Sequence, residues 1–348
     1  MAAREIPVAI LGASGYTGAD LIRLLSIHPQ VRLAALTAHS HAGKPLSAVF
    51  PHLRMVDAPD LVTVDDVDWS DIEAVFCALP HGTTQEIVAG LPKSLKVVDL
   101  SADFRLNDPD VYAETYGKPH AARDLQPEAV YGLTEHARDG VTKARLVACP
   151  GCYPTASLLA LLPLIKGGTI QAEDIIIDAK SGVSGAGRGV KEANLFCEVG
   201  EGIHPYGIGR HRHAPEIEQE LARRFHGPVA VNFTPHLIPM NRGELVTCYV
   251  RLTPGQTADS ARAALKVAYD GEAYVHVLPE NEAPATRHVR GSNHCVVNVF
   301  ADRIEGRAIV IAAIDNLVKG SSGQAIQNFN LMMGLPETTA LEQAPLFP

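Results

Sequence analysis

Ile6-Pro-Val-Ala-Ile-Leu-Gly-Ala-Ser-Gly-Tyr-Thr-Gly18 runs directly into Ala19-Asp-Leu-Ile-Arg-Leu-Leu-Ser-Ile-His28. The first six residues are apolar without a break, the pattern of a strand buried on both faces. The last ten carry their apolar residues at helical spacing. Strand, glycine turn and helix in that order form a dinucleotide-binding unit, here spaced Gly-x-x-Gly-x-x-Gly. Gly12 suits the tight turn, Gly15 lets backbone approach a pyrophosphate, and Gly18 allows helix and strand to pack closely. Ser14, Tyr16 and Thr17 add hydroxyl or N–H donors. This stretch predicts an α/β fold with a Rossmann-type doubly wound parallel sheet.

Outward from it, Val31 to Thr37 reads as the second strand. NAD enzymes place a carboxylate for the ribose hydroxyls at the end of that strand. Ala38-His-Ser-His-Ala-Gly-Lys44 has none, and Ser40 with its flanking histidines suits a 2′-phosphate, which favours NADP over NAD. A solvated polar loop is the plainer reading of the same residues. Ile72 to Leu79 and Leu95 to Leu100 continue the strands, with a helix over Thr83 to Leu91. Pro80, His81 and Gly82 form a turn at a strand's carboxyl end, where doubly wound sheets bind ligands. Arg105, in Ser101-Ala-Asp-Phe-Arg105, suits a bidentate grip on phosphate or carboxylate. An ordinary Arg–Asp pair is its alternative.

The second informative stretch is Val147-Ala-Cys-Pro-Gly-Cys-Tyr-Pro-Thr-Ala156, followed by the apolar Ser157 to Ile165. A short strand ends at Cys149, and a helix is expected from Thr155 to Ile165. Cys152 thus lies in a Pro/Gly turn feeding a helix N-terminus, where unpaired N–H groups and the helix dipole favour thiolate. The same N–H groups suit a developing oxyanion. Three other readings compete: a buried structural thiol, a redox pair with Cys149, and zinc held with His211 and His213. Cys152 is flanked by turn residues, Cys149 closes a strand instead of opening a helix, and His-x-His is short for a zinc site. The nucleophile reading is preferred, with no metal.

After the cysteine the rhythm changes. Asp174 to Ala179 is a strand leading into the glycine-rich Lys180-Ser-Gly-Val-Ser-Gly-Ala-Gly-Arg-Gly189. Ser181 and Gly182 are candidates for the cofactor, and Ser184 and Arg188 for the substrate's phosphate. Arg210-His-Arg-His-Ala-Pro-Glu216 approaches a helix whose first turn suits Pro215 and Glu216. Either His211 or His213 could serve as general acid and base, with Glu216 orienting a ring. Strands over Val229 to Phe233, Glu244 to Leu252, His294 to Ala301 and Arg307 to Ile314 follow. Hairpin signals fall at Met240 to Gly243 and Arg303 to Gly306, and a helix at Ala258 to Tyr269. These predict an α+β domain over 149–315 with a mixed, largely antiparallel sheet. Residues 1–148 form the first domain, completed by 316–348.

The chain has 348 residues and a net charge of -9 with no Lys/Arg block, which argues against nucleic acid as a partner. The first residues lack the apolar core of a signal peptide, and no apolar run reaches membrane-spanning length. Six scattered cysteines do not make a secreted disulfide framework. A soluble, cytoplasmic protein is expected.

Four motifs together resemble the N-acetyl-gamma-glutamyl-phosphate reductase family, the arginine-pathway branch of the semialdehyde dehydrogenase superfamily. They are Gly12 to Gly18, Pro150-Gly-Cys-Tyr-Pro-Thr-Ala156, His211-Arg-His-Ala-Pro-Glu216 and Asp315-Asn-Leu-Val-Lys-Gly320. The resemblance implies an NADP-dependent acyl-phosphate reductase that works through a thioester on Cys152. His213, or His211 beside it, is then the acid/base, with Glu216 in support. It also implies that Asn316 and Gly320 line the cofactor, and that the protein is a homodimer or homotetramer acting on a small acyl phosphate. Related readings are an aspartate-semialdehyde or lysine-pathway reductase, and an NADP-sensing module without chemistry.

Overall fold

The computed structural model describes residues 4–347. The chain divides into two units, one running to Pro150 and resumed by Ser321–Glu342, the other Gly151–Gly320 with the chain from Gln343 onward.

In the first unit seven strands, β1 (Ile6–Leu11), β2 (Val31–Thr37), β3 (Leu61–Val62), β4 (Ala74–Cys77), β5 (Lys96–Asp99), β6 (Ala129–Tyr131) and β7 (Leu146–Ala148), form one sheet. Their order is β3-β2-β1-β4-β5-β7-β6, and every adjacent pair is parallel. The chain winds from β1 to one side and then from β4 to the other, so the switch point lies between them, beyond their carboxyl ends. All six residues of β1 are buried, as their unbroken apolar run requires. The core on one face includes Val75, Val97, Phe104 and Leu146.

The glycine turn follows β1. Gly12 has φ +81°, and a Cβ there would lie 2.3 Å from the Ala78 carbonyl oxygen. A Cβ on Gly18 would lie 2.6 Å from the Gly12 carbonyl oxygen, so close packing demands both glycines. The helix Tyr16–Leu25 begins at once, three residues before the apolar spacing suggested, because Gly15 is its N-cap.

The chain returns to this unit as the helix Gly323–Met332, entered through a wide turn at Val318–Ser322. Phe329 meets Phe76 at 5.3 Å between ring centroids. The Asn328 amide donates to the Gly132 carbonyl at 2.8 Å and accepts from the Thr134 hydroxyl at 2.8 Å. The return is shorter at both ends than 316–348. Residues 316–320 group with the second unit, and so does the tail from Gln343, whose Leu346 N–H donates to the Arg290 carbonyl at 2.7 Å.

The second unit holds β8 (Ile175–Gly182), β9 (His204–Pro205), β10 (Val231–Ile238), β11 (Glu244–Arg251), β12 (Val275–Val277), β13 (Cys295–Ala301) and β14 (Arg307–Ile314). They form a mixed sheet ordered β12-β13-β14-β11-β8-β10-β9. β8 and β10 are parallel, as are β12 and β13, and the other neighbours are antiparallel. Arg303 to Gly306 does close a hairpin, between β13 and β14. Met240 to Gly243 does not: β10 and β11 lie on opposite sides of β8, so this segment crosses over one strand. A turn signal reports a reversal, and the strand inserted between the two arms is set by pairing elsewhere. The helix Cys152–Lys166 is buried along most of its length. It packs on β11, β14 and the helices His213–Phe225 and Ala258–Ala268. Its all-round apolar sequence has this enclosure as its cause.

Candidate active site

Cys152 is the first residue of its helix, and Gly151 is the N-cap, with no side chain to satisfy the first-turn N–H groups. Thr155 was the expected start; the Pro/Gly turn yields to helix one turn earlier. The Gly151 N–H donates to Glu216 Oε1 at 2.9 Å, and Glu216 is 1 % exposed. Glu216, expected beside an imidazole, also uses its carboxylate to grip the turn that carries Cys152, a charge-assisted bond. Gly320 faces Cys152 too, since a Cβ there would lie 2.7 Å from Cys152 Cβ. The reason for glycine at this position is room for the cysteine.

The two histidines stand at the start of the helix His213–Phe225. Their ring centroids are 4.8 Å apart, and Tyr153 is within 6.0 Å of His211 and 5.9 Å of His213. His211 Nδ1 accepts from the His213 N–H at 3.2 Å, so His211 serves the helix's N-terminus and carries its neutral-form proton on Nε2. Burial, and then the Arg212 charge, lower the His211 pKa to about 4. Two groups in the same cluster went unread in the sequence. The Tyr153 hydroxyl donates to the His236 carbonyl at 3.2 Å, and the Tyr206 hydroxyl donates to that of Tyr153 at 3.2 Å. Glu244 is buried at the start of β11, and burial pushes its carboxyl up to about 8. Nothing in the local pattern around Tyr206 or Glu244 announces these environments.

Ser181 is buried, and its hydroxyl donates to the Gly182 carbonyl at 3.2 Å. A Cβ on Gly182 would lie 2.7 Å from the Asn241 carbonyl oxygen. Asn316 accepts from the Gly243 N–H at 2.8 Å and donates to the Ser184 hydroxyl at 2.9 Å. These contacts make Asn316 a brace between the start of β11 and the Ser184 loop, within the second unit. Arg188 is exposed on that loop.

In the first unit, Ser14, Gly15 and Thr17 are half-buried and Tyr16 is 40 % exposed. The Thr17 hydroxyl lies 3.4 Å from that of Ser321. Gly12 N–H donates to Thr37 Oγ1 at 3.3 Å, tying the turn to the end of β2. Ser40 and Pro80 are exposed on loops after β2 and β4. His81 is exposed as well, and its Nδ1 accepts from the Ala102 N–H at 3.0 Å. Arg105 has backbone partners. It is 4 % exposed and donates to the carbonyls of Cys149 at 2.7 Å and Leu100 at 2.9 Å. With these two bonds the side chain holds strand ends together. Burial pushes the Cys149 thiol up to about 12, which leaves it inert as a redox partner. Among the described residues no cluster of three or more His, Cys, Asp or Glu side chains could hold a metal ion. No helix is long and apolar enough to cross a membrane.

The architecture has solved counterparts. Aspartate semialdehyde dehydrogenase II of Vibrio cholerae superposes with a TM-score of 0.72 at 18 % identity, covering 95 % of this chain and 99 % of that one. The aspartate semialdehyde dehydrogenase of Candida albicans, solved with NADP, gives 0.66 at 17 % identity, covering 94 % and 98 %. At such identities the likeness concerns the fold. Residues 7–144 match the model of the semialdehyde dehydrogenase NAD binding domain, and residues 152–316 that of the semialdehyde dehydrogenase dimerisation domain. The chain belongs to the semialdehyde dehydrogenase family.

Sequence relatives narrow this to one branch. A rice protein named probable N-acetyl-gamma-glutamyl-phosphate reductase, chloroplastic, is 60 % identical, covering 99 % of this chain and 83 % of its own. The N-acetyl-gamma-glutamyl-phosphate reductase of Rhodospirillum rubrum is 59 % identical over 99 % of both chains. Within the family, this chain falls among the N-acetyl-gamma-glutamyl-phosphate reductases.

Proposed function

We propose that this protein reduces N-acetyl-gamma-glutamyl phosphate to N-acetyl-L-glutamate 5-semialdehyde and phosphate with NADPH, through a thioester on Cys152, in arginine biosynthesis. The observation that carries the chemistry is Cys152 at the first position of a helix, on a turn held by Glu216, with two imidazoles nearby. The near full-length likeness to relatives bearing that activity's name supplies the substrate.

The Cys152 thiolate attacks the acyl-phosphate carbonyl, and first-turn amides of its helix take the developing oxyanion. The C–O bond to phosphate breaks, with Ser184 and Arg188 as the groups for the departing anion. NADPH, when bound, supplies the hydride that turns the thioester into a thiohemiacetal. His213 then moves the proton of the thiohemiacetal oxygen as the semialdehyde leaves. His211 is the poorer donor, since its imidazole stays neutral at working pH.

The first unit fits the cofactor. Gly12 and Gly18 form a close turn at the switch point. The helix Tyr16–Leu25 begins without a side-chain cap or a first-turn carboxylate, as a pyrophosphate requires. Ser14, Gly15, Tyr16 and Thr17 would hold that pyrophosphate, Ser40 the 2′-phosphate, and Pro80 and His81 the neighbouring edge. Ser181, Gly182, Asn316 and Gly320 are candidates for the cofactor as well. The second unit is the catalytic and dimerisation domain of a cytoplasmic homodimer or homotetramer, a size that light scattering after gel filtration measures.

The test is phosphate-dependent reduction of NADP with N-acetyl-glutamate semialdehyde. Wild type and Cys149→Ala should turn over, and Cys152→Ser should not. Activity with aspartate semialdehyde alone would move the substrate, and NADP binding without turnover of any aldehyde would favour a sensing module.

A further inference from the structure

The crevice beyond the carboxyl ends of β1 and β4 has two walls. One is the glycine turn after β1, and the other is the segment that follows β4. They pack directly together: the Ala78 N–H donates to the Leu11 carbonyl at 2.8 Å, and a Cβ on Gly12 would run into the Ala78 carbonyl oxygen. The second wall continues into a turn over residues 80–84, where Gly82 takes φ +81° and Pro80 and His81 are exposed. Asp103, buried after the carboxyl end of β5, fastens this turn. One carboxylate oxygen accepts from the Gly82 N–H and, at 3.0 Å, from the Tyr112 hydroxyl. The other accepts at 2.9 Å from the N–H of Thr84, the first residue of the helix Thr84–Gly90. The Asp103 carbonyl accepts from the Gln85 amide at 3.0 Å, and the neighbouring Ala102 N–H donates to His81 Nδ1. Lys118 Nζ closes the outer side, donating to the Gly82 carbonyl at 2.6 Å.

Two N–H groups and a hydroxyl converge on the Asp103 side chain, and all three donate. Only a group that accepts at both ends satisfies them together. A carboxamide of the same shape would turn its own N–H groups on one of them. Burying a carboxylate is costly unless its hydrogen bonds are made, so this one belongs with the turn it holds. A wall fixed in advance takes up a ligand without first losing conformational freedom. We propose that Asp103 is a positioning residue for the dinucleotide, setting the turn over residues 80–84 in its binding shape before the cofactor arrives. Pro80 and His81 then meet the cofactor already in place, and Asp103 acts through the turn and not by contact. This rests on the reading of Pro80 and His81 as cofactor residues.

The test titrates the full chain with NADP by calorimetry, without turnover. Asp103→Asn should bind NADP on the order of 10-fold more weakly than wild type, the worth of one charge-assisted hydrogen bond. Its KM for NADP should rise accordingly, with kcat and KM for the semialdehyde unchanged. Tyr112→Phe takes a bond from the same carboxylate but leaves both that reach the turn, so it should bind NADP as wild type does. Equal weakening in both variants would reduce Asp103 to a structural group and overturn the positioning. Should Asp103→Asn fail to fold, amide exchange at Gly82 and Thr84 in the wild-type chain decides, read by NMR before NADP is added. Exchange as slow as in β4 supports the preset turn, and fast exchange overturns it. A wild type that binds no NADP removes the cofactor reading and the positioning with it. A wild type that binds NADP no more tightly than Asp103→Asn removes the positioning alone.

Discussion

His211 and His213 are two residues apart and make different contacts. His211 spends Nδ1 on the helix start and is held neutral by burial, while His213 opens the helix beside Tyr153. His213→Asn should therefore lower kcat on the order of 10² to 10⁴-fold, the usual worth of a general acid/base. His211→Asn keeps an acceptor for the N–H of residue 213 and should cost less than about 10-fold by the same reckoning. Steady-state kinetics of the two variants decide it; equal losses would put the proton on both rings. The type of both residues was readable in the sequence, because a histidine pair before a helix is a local pattern. Their division of labour was not, since it depends on which nitrogen is spent and on how much water reaches each ring.

At the scale of elements, the glycine turn was legible because each of its constraints lies within a few residues or one strand away. Gly12 and Gly15 now part company. A Cβ on Gly12 meets backbone at 2.3 Å with φ at +81°, whereas one on Gly15 meets only the Gly12 carbonyl oxygen at 3.5 Å. Gly12→Ala should destabilise the first unit by more than about 2 kcal/mol, the cost of forcing a side chain into that conformation and space. Gly15→Ala should leave the melting temperature nearly unchanged and weaken NADP binding by more than about 10-fold, equivalent to about 1.4 kcal/mol. Calorimetry and a fluorescence titration separate the two; normal NADP affinity in Gly15→Ala would remove Gly15 from the cofactor site. The crossover at Met240 to Gly243 shows the opposite case. Its turn residues are the same whether β10 and β11 adjoin or flank β8, so only sheet order tells them apart.

For the whole molecule, buried acids set a pH limit. Glu244 is raised to about 8, and Asp99 to about 7, by burial first in each case. A carboxyl whose folded pKa lies above its unfolded value adds stability that is complete below the unfolded value and lost as pH rises through the folded one. His211, lowered to about 4, adds stability that is present above its unfolded value and lost as pH falls. Wild type should therefore melt at lower temperature as pH climbs through 7 and 8. Glu244→Gln should gain on it steadily over that climb. Melting curves across pH check this, and a constant difference between the two proteins would mean that Glu244 does not titrate there.

By itself the sequence determined the class of fold and marked the candidate nucleophile. Both rest on periodicity and turn chemistry, which act over neighbouring residues. Tertiary structure alone decided what Glu216, Gly320, Asn316 and Arg105 do. Glu216 reaches a turn 65 residues away, Asn316 a strand 73 away and Arg105 a carbonyl 44 away. Glu244 belongs with them: packing strips the water from a carboxyl at the head of a strand, which no run of neighbouring residues shows.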